Sequence, residues 1–433
     1  MTMHKSWTLF PLLLLLAGIL GAACAVRSTE VPTATATTPP AQVVSVIPTP
    51  TTTPIPPTLV TIWHAWPHAH EAAYATLAEE FNATHDDMRI ELVQVESLDA
   101  ALEVALPAGE GPDILAGTQE QLGRRALAGE IAPLDATFDT AYLERTFEPA
   151  AAQAVIWDGR VWGIPATQDG IALIYNRDLL SGIPDDFATL LEEAQTFRAA
   201  NPDKYYLCNQ GLGQSDAYYA APIYFGHGMD KYGGYVDDQG NVYLNTEESY
   251  AAGAWIKDFS EVAPAESTPE LCQAMFNEGQ VAIWWSGPRS LRAIQEAGMN
   301  YGIAPLGSPF VTVNLFMLTQ NAVERDHTAA AIEVLRYFGS AEAQKRLTLL
   351  NNTIPANSVA LHAPEVQSLE LVAGFGAALH QGIPLGNHPY AACQWGPVGD
   401  ATLAIWNGSQ TPVAALDEAQ VAIEQCVAEM KQH

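Results

Sequence analysis

Residues 59–95, LVTIWHAWPHAHEAAYATLAEEFNATHDDMRIELVQV, contain the pattern from which the fold class follows. The first eight residues form an apolar run typical of a buried strand, and Ala73, Leu77 and Phe81 then recur at helical spacing. A second apolar run, MRIELVQV, ends the stretch. A strand, a helix and a strand in this order indicate a β-α-β unit, which implies a parallel sheet with crossover helices. We therefore predict an α/β protein.

The same alternation continues along the chain. Further strands are predicted in GPDILAG (residues 111–117), DGIALIYNRDLL (169–180) and QVAIWWSG (280–287). Helices are predicted in DFATLLEEAQTFRAAN (186–201), TAAAIEVLRYFGSAEAQKRLTLL (328–350) and TPVAALDEAQVAIEQCVAEMKQ (411–432). A chain of 433 residues is too long for one ordinary core, so we expect two or three compact units.

The composition narrows the possible partners. Hydrophobic residues make up 48% of the chain, which indicates a globular protein with a large core. The 49 acidic residues outnumber the 19 Lys and Arg residues and give a formal net charge of −30. Because such a chain repels phosphate backbones and anionic lipid surfaces, we expect no nucleic-acid partner.

The N-terminus has the pattern of an export signal. Lys5 precedes the apolar run WTLFPLLLLLAGILGAACAV, and the small residues GAAC around Cys24 suggest cleavage as a bacterial lipoprotein, with Cys24 lipidated. Residues 1–24 are therefore the predicted signal. Ordinary signal cleavage at the neighbouring ACA and an uncleaved membrane anchor remain alternatives. All three place the protein outside the cytoplasm.

A Thr- and Pro-rich segment follows the signal. Between residues 28 and 58 the sequence is STEVPTATATTPPAQVVSVIPTPTTTPIPPT, which contains almost no charge. Proline removes backbone donors and favours an extended chain, so we expect residues 25–58 to be an unfolded, fairly stiff linker.

The remaining cysteines are candidates for disulfides, because the chain is predicted to be exported. Four cysteines allow three pairings. The pairing within neighbouring segments is Cys208–Cys272 with Cys393–Cys426, and free buried thiols are the alternative. None of the spacings is CxxC, so we do not expect a structural zinc site.

Aromatic and polar residues lie at the ends of four predicted strands. In open α/β sheets, ligands bind beyond the carboxyl ends of the strands, so these residues suggest a pocket with aromatic walls. Burial in the core is the equally weighted alternative for each of them. The strand-end residues are Trp63, His64, Gly117, Thr118, Tyr175, Asn176, Trp284 and Trp285.

Several motifs occur in a characteristic order along the chain. They are VTIWHAW (60–66), GPDILAG (111–117), GRVWGIPATQDGIALIYNRDLL (159–180), AMFNEGQVAIWWSGP (274–288), NYGIAPLG (300–307) and QTPVAALDEAQ (410–420). Together they resemble family 1 extracellular solute-binding proteins of ABC importers, and among these the maltose/maltodextrin-binding proteins. The resemblance extends from residue 59 to the C-terminus.

The resemblance implies a two-lobed periplasmic-binding-protein fold of type II, in which segments that cross between the lobes form a hinge beside a cleft. The implied crossings lie near residues 168–171, 303–306 and 359–370. The first lobe would comprise residues 59–168 and 306–357, and the second lobe residues 169–305 and 358–433.

The resemblance also implies the residues of the cleft. Asp216 is the candidate acceptor for sugar hydroxyl groups, because SDAYYAAP resembles the acidic-aromatic segment of maltodextrin sites. DILAGTQ lacks the aromatic residue that maltodextrin binders commonly have, so the identity of the sugar stays open. The predicted ligand-binding residues are Trp63, His64, Thr118, Asp216, Tyr218, Trp285 and Trp395.

The expected function is that of a solute-binding lipoprotein. It would capture a carbohydrate such as a maltodextrin and deliver it to the permease subunits of an ABC transporter at the outer face of the cytoplasmic membrane. We expect a monomer without a cofactor or a metal ion, and no catalysis.

Three alternatives compete with sugar binding. The same fold could bind a glycerol phosphodiester or a polyamine. His64, His68 and His70 could contribute to a zinc site. A secreted glycosidase would need two carboxylates across a cleft, but the chain contains no GxSxG, HExxH or phosphate-binding glycine loop.

Overall fold

The protein is described by a computed structural model that covers residues 56–432. The predicted signal, Cys24 and the linker as far as residue 55 lie outside the described residues. The strands are β1 (Thr58–His64), β2 (Met88–Gln94), β3 (Ile114–Thr118), β4 (Ile156–Trp157), β5 (Arg160–Val161), β6 (Ile164–Asp169), β7 (Ala172–Asn176), β8 (Tyr205–Cys208), β9 (Val281–Ser286), β10 (Tyr301–Ala304), β11 (Phe310–Leu318), β12 (Ile354–Pro355) and β13 (Ile383–Pro384).

The helices cover both sheets. They are α1 (His68–Asn82), α2 (Leu98–Ala105), α3 (Leu122–Leu127), α4 (Thr140–Thr146), α5 (Pro149–Ala154), α6 (Phe187–Ala200), α7 (Ala217–Gly226), α8 (Glu247–Ser260), α9 (Pro269–Asn277), α10 (Leu291–Glu296), α11 (Gln320–Glu324), α12 (Thr328–Gly339), α13 (Ala341–Asn351), α14 (Ser358–Leu361), α15 (Pro364–Gln367), α16 (Glu370–His380), α17 (Trp395–Trp406) and α18 (Pro412–Met430).

The larger sheet begins with the β-α-β unit that the sequence predicts. Strand β1 pairs in parallel with β2 and with β3, and α1 connects β1 to β2. The strand order is β12-β6-β11-β3-β1-β2, and β13 pairs with β11. Strand β11 is antiparallel to both β3 and β6, so the sheet is mixed and the prediction of a parallel sheet was wrong for this half. The reason is that β11 arrives from the second sheet rather than through a crossover helix.

The smaller sheet has the order β10-β7-β9-β8. The chain passes from the larger sheet to the smaller one between Asp169, which ends β6, and Ala172, which begins β7. It returns between Ala304 of β10 and Phe310 of β11. Residues 383–384 then bring the chain back a further time to pair with β11. These crossings join two α/β halves side by side, as in the predicted two-lobed fold.

Strand β7 shows how the halves share their core. Alternate side chains of a strand point to opposite faces. Accordingly Ala172 and Ile174 belong to the core that continues under the larger sheet, whereas Ile171 and Leu173 belong to the core of the second half. Both faces of β7 and β9, the inner strands of the smaller sheet, are therefore covered, and their residues are buried except for Tyr175, which is partly exposed.

The predicted helix at residues 328–350 is broken. Its two parts, α12 and α13, meet at Ser340, whose backbone is extended (φ −72°, ψ 151°) and whose side chain accepts a hydrogen bond from the amide of Ala343. A serine in this position caps a new helix instead of continuing the old one.

Two disulfides are present in the second half. Cys208–Cys272 connects β8 to α9, and Cys393–Cys426 connects the turn before α17 to α18. Both join neighbouring segments, which is the pairing expected from the sequence.

Candidate functional site

A cavity lies where the two sheets meet, and we refer to it as the central cavity. Its volume is about 510 Å³. The crossing from β6 to β7, the start of α7, the turn after β9 and the start of α17 all contribute to its walls. The lining residues are Glu120, Asp169, Gly170, Ile171, Asp216, Tyr218, Tyr219, Gly287, Pro288, Arg289, Ser290, Thr312, Leu385 and Trp395.

Asp216 and Tyr218 are held by the first turn of α7. Asp216 is the residue before the helix, and its Oδ1 accepts hydrogen bonds from the amides of Tyr218 (3.0 Å) and Tyr219 (3.1 Å). An aspartate in this position satisfies amides that have no partner within the helix. This cap sets the orientation of the helix start, and the rings of Tyr218 and Tyr219 line the cavity from there.

Trp395 enters the cavity from the start of α17. Its ring meets that of Phe310 edge to face, with centroids 5.8 Å apart. The disulfide at Cys393, two residues earlier, fastens this segment to α18. An indole that is supported on one side and partly exposed on the other provides an apolar surface for a ligand ring.

Two carboxylates besides that of Asp216 face the cavity. Asp169 is largely buried at the crossing, and its Oδ1 accepts a hydrogen bond from the amide of Gly170 (2.8 Å). Burial raises the pKa of Asp169, and the positive charge of Arg289 partly opposes this shift. Glu120 is more accessible, but the surrounding walls desolvate its carboxyl group and also raise its pKa. Desolvated carboxylates of this kind are strong acceptors for ligand hydroxyl groups.

Two further cavities share lining residues with the central cavity, and a third lies beside one of them. The outer arm, of about 740 Å³, shares Glu120 and Trp395 with it. The inner arm, of about 320 Å³, shares Asp169 and Arg289. A smaller strand-end pocket, of about 230 Å³, contains Thr118. It shares two residues, Asp99 and Gln121, with the outer arm. We refer to the four cavities together as the groove.

The structure brings together only part of the predicted set. Asp216, Tyr218 and Trp395 line the central cavity, and Thr118 lies in the strand-end pocket. Trp63 is half-buried, packs against the core and lines none of these four cavities.

His64 does not reach the groove, contrary to the prediction that it forms part of the wall. Its side chain is completely buried, and its ring stacks on that of Trp66 with centroids 4.2 Å apart. Burial lowers the pKa of His64, so the imidazole is neutral near pH 7. Trp66, rather than His64, lines the strand-end pocket. On its other side the ring of Trp66 stacks on that of Tyr74, with centroids 3.9 Å apart.

The prediction that Trp285 lines the ligand site is also wrong. It is completely buried within β9, and its ring packs against Phe187 with centroids 6.2 Å apart. Trp284 is buried on the same strand. Because both faces of β9 are covered, neither tryptophan reaches the groove, and the residues that do so follow the end of the strand, from Gly287 to Ser290.

The histidines of the first segment do not converge. His68 and His70 are exposed, whereas His64 is buried beneath Trp66. Within residues 56–432, no three His, Cys, Asp or Glu side chains come close enough together to hold a metal ion.

Comparison with known proteins identifies the family. The profile described as bacterial extracellular solute-binding protein matches residues 76–374, which is more than half of the chain. The chain belongs to this family. The groove, with the central cavity at the junction of the two sheets, is the candidate ligand site of this solute-binding protein.

Named relatives of the solute-binding protein agree with this assignment. It is 28% identical to the maltotriose-binding protein of Pyrococcus abyssi over 79% of this chain and 76% of the relative. Identity with the maltodextrin-binding protein of Bacillus subtilis is 25%, over 72% and 76%. A crystal structure of a cyclo/maltodextrin-binding protein complexed with maltotetraose superimposes with a TM-score of 0.76 at 23% identity, covering 86% of this chain and 97% of that one. This last likeness establishes the shared two-lobed fold.

Four residues with polar or aromatic side chains stand out among the groove residues that were not predicted from the sequence. They are Trp66, Glu120, Asp169 and Arg289. Asp169 lies within the predicted crossing at residues 168–171, so the hinge position itself was a usable signal. Arg289 follows a buried strand, and the rule that ligands bind beyond strand ends would have selected it if applied to residues after the strand.

In the part of the chain that the structure describes, no helix is long and apolar enough to cross a membrane.

Proposed function

We propose that the protein captures a neutral oligosaccharide of the maltodextrin class in the central cavity. The observation that carries the proposal is the combination of aromatic rings and carboxylates in one space, namely Tyr218 and Trp395 with Asp169 and Asp216. The names of the maltotriose- and maltodextrin-binding relatives support this choice of ligand class.

The chemistry of a sugar matches these groups. A pyranose has apolar C–H faces, which the rings of Tyr218 and Trp395 would cover. Its hydroxyl groups surround the edge and would donate to the carboxylates. Asp216 uses Oδ1 for the helix cap, and its Oδ2 accepts no hydrogen bond from the described residues. A hydrogen bond to a charged acceptor contributes about 1.5–3 kcal/mol.

A small anionic solute, such as a glycerol phosphodiester, is the second candidate. Arg289 lines the central cavity, and no hydrogen bond or ion pair between its guanidinium group and another described residue is present. A free guanidinium suits a phosphate or carboxylate. Three acidic side chains line the same cavity, however, and they would repel an anion, so the neutral sugar is favoured.

Delivery would follow from closure of the two halves over the ligand. A ligand that contacts both halves binds the closed form more tightly and so shifts the population toward it. We propose that an ABC-transporter permease detects this closed form. In this account Cys24 carries a lipid, residues 25–58 act as a tether, and the monomeric protein releases its sugar chemically unchanged.

The proposal can be tested by thermal unfolding of the full chain in the presence of different solutes. The panel consists of maltooligosaccharides, galactooligosaccharides, glycerol phosphodiesters, polyamines and zinc chloride. A ligand at about 100 times its dissociation constant adds about 2.7 kcal/mol to the free energy of unfolding. We expect stabilisation by maltooligosaccharides, with no hydrolysis products by chromatography. Stabilisation by phosphodiesters alone, or by zinc alone, would replace the sugar proposal.

A further inference from the structure

The inner arm of the groove differs from the central cavity in its chemistry. It continues past Asp169 and Arg289, and its walls come from both halves of the protein. The lining residues are His70, Thr167, Gln168, Asp169, Pro288, Arg289, Leu291, Arg292, Gln295, Asn314, Asn351, Asn352, Thr353, Ile354 and Leu371. This set contains no Phe, Tyr or Trp. The arm therefore offers no stacking surface, but it is rich in amide groups.

One of these amides is buried without a complete set of partners. Gln168 is only 2% exposed, and its Nε2 donates to the carbonyl oxygen of Pro355 at 3.1 Å. Its Oε1 is buried and accepts no hydrogen bond from the described residues. A buried carbonyl oxygen without a donor costs free energy, so a group that donates to it from the arm would be bound favourably.

A second amide in the arm has the complementary property. Asn351, the last residue of α13, uses its Oδ1 to accept hydrogen bonds from the amide and hydroxyl group of Thr353, at 3.2 and 2.8 Å. Its Nδ2 is buried and donates to no described residue. The arm thus contains a buried free acceptor, on Gln168, and a buried free donor, on Asn351. Sugar hydroxyl groups can satisfy both, because each hydroxyl donates and accepts.

The position of the arm indicates what reaches it. Asp169 and Arg289 line both the central cavity and the arm, so a chain of sugar residues that begins in the central cavity can continue between them. We propose that the inner arm is a further saccharide subsite without an aromatic surface, which recognises the hydroxyl groups of one additional sugar residue through Gln168 Oε1 and Asn351 Nδ2. This inference rests on the proposed function of the central cavity.

The test uses Asn351→Asp in the full chain. This substitution retains Oδ1 and its bonds to Thr353 but replaces the free donor by an acceptor. Isothermal titration calorimetry with maltose through maltoheptaose gives the affinity for each chain length. For the parent we expect affinity to rise with length and then to level off. In the variant, the affinity for the longer saccharides should fall about tenfold, while that for the shortest should change less than about twofold.

Asn407→Asp is the matched control. Asn407 directly follows the last residue of α17, and its Oδ1 likewise accepts a hydrogen bond from the amide two residues later, in Ser409, at 2.9 Å. Its side chain is exposed and lines none of the cavities of the groove. It should leave every affinity unchanged. Asn351→Ala removes the donor without adding a charge and should reproduce the length-dependent loss. Unfolding temperatures of all variants check that they are folded.

Each outcome has a defined meaning. A loss confined to longer saccharides supports the subsite. An equal loss at every length, or no loss, contradicts the subsite but leaves sugar capture in the central cavity intact. A parent protein that binds none of the saccharides contradicts both the subsite and the proposed function.

Discussion

The ring of Tyr218 lies against the ring of Phe310, with centroids 6.1 Å apart and planes inclined by 24°. The ring of Trp395 meets the same phenylalanine at 5.8 Å. Phe310 is fully buried and is the first residue of β11, where the chain enters the larger sheet. Two of the aromatic residues of the candidate site are therefore supported by one buried side chain at the crossing between the halves. A closing motion at this crossing would act directly on the aromatic wall.

Trp395→Ala should weaken sugar binding while leaving the protein folded. Trp395 is partly exposed in the cavity, so its loss removes a surface for the ligand rather than a piece of the core. We expect a loss of about 2 kcal/mol of binding free energy, or about thirtyfold in affinity for maltotriose. Isothermal titration calorimetry measures this change.

Trp406→Ala is the control for that variant. Trp406 ends the same helix, α17, and packs against Phe259 away from the groove, at 6.3 Å. Its removal should lower the unfolding temperature but leave the dissociation constant unchanged. The assignment of Trp395 to the site fails if the two variants bind maltotriose equally well.

Trp285→Ala should have the opposite effects. The side chain is completely buried, so its removal leaves a cavity in the core of the second half. We expect the free energy of unfolding to fall by about 3–5 kcal/mol, with little change in the affinity of the folded molecules. Urea unfolding and calorimetry on the same sample separate the two quantities. A large loss of affinity with normal stability would show instead that Trp285 belongs to the binding site.

Asp169→Asn should stabilise the protein and weaken its binding at the same time. Burial raises the pKa of Asp169 above its ordinary value of 3.8, so the folded protein holds this proton more tightly than the unfolded chain. The contribution of Asp169 to stability is therefore greatest below pH 3.8 and declines as the pH rises through the raised pKa. At pH 7 the charged carboxylate is destabilising, and asparagine removes that cost.

Whereas Asp169→Asn should raise the stability of the protein, it should lower its affinity for the sugar. Replacing the carboxylate removes a charged acceptor and should lower sugar affinity about 10- to 100-fold at pH 7. Unfolding temperature and calorimetry, each measured from pH 4 to pH 8, follow both effects. Asp203→Asn, at an exposed turn outside the groove, should change neither quantity. Normal sugar affinity of Asp169→Asn would contradict the assignment of Asp169 to the site.

The two disulfides should differ in their effect on binding. Their loops of 64 and 33 residues each predict a stabilisation of about 4 kcal/mol from restriction of the unfolded chain. Cys393–Cys426 also fastens the segment that carries Trp395, whereas Cys208–Cys272 connects β8 and α9. Replacing Cys393 and Cys426 by serine should therefore lower both stability and sugar affinity. Replacing the other pair should lower stability alone, and equal effects on affinity would contradict this distinction.

Much of the fold could be predicted because its signals are local. The alternation of apolar runs and helical spacing in residues 59–95 depends on neighbouring residues, and it predicts β1, α1 and β2 correctly. The antiparallel pairing of β11 depends on contacts between distant parts of the chain, such as Asn314 with Thr118, and no local pattern encodes it. The break at Ser340 was missed because the apolar periodicity continues across it.

The site was less predictable because it depends on which side chains remain uncovered. Trp285 and His64 have residue types suited to a sugar site, yet neighbouring elements bury them both. Tyr218 and Trp395 begin helices instead of ending strands, and they came from the family resemblance rather than from periodicity. Arg289 was not among the predicted residues, and only the folded chain places it between the central cavity and the inner arm.

The most direct measurement is a crystal structure of the full chain grown with saturating maltotriose. The account predicts electron density for the sugar in the central cavity, with its rings against Tyr218 and Trp395 and hydroxyl groups within hydrogen-bonding distance of Asp169. Sugar bound elsewhere on the surface, or an empty cavity in crystals that contain the ligand, would contradict it.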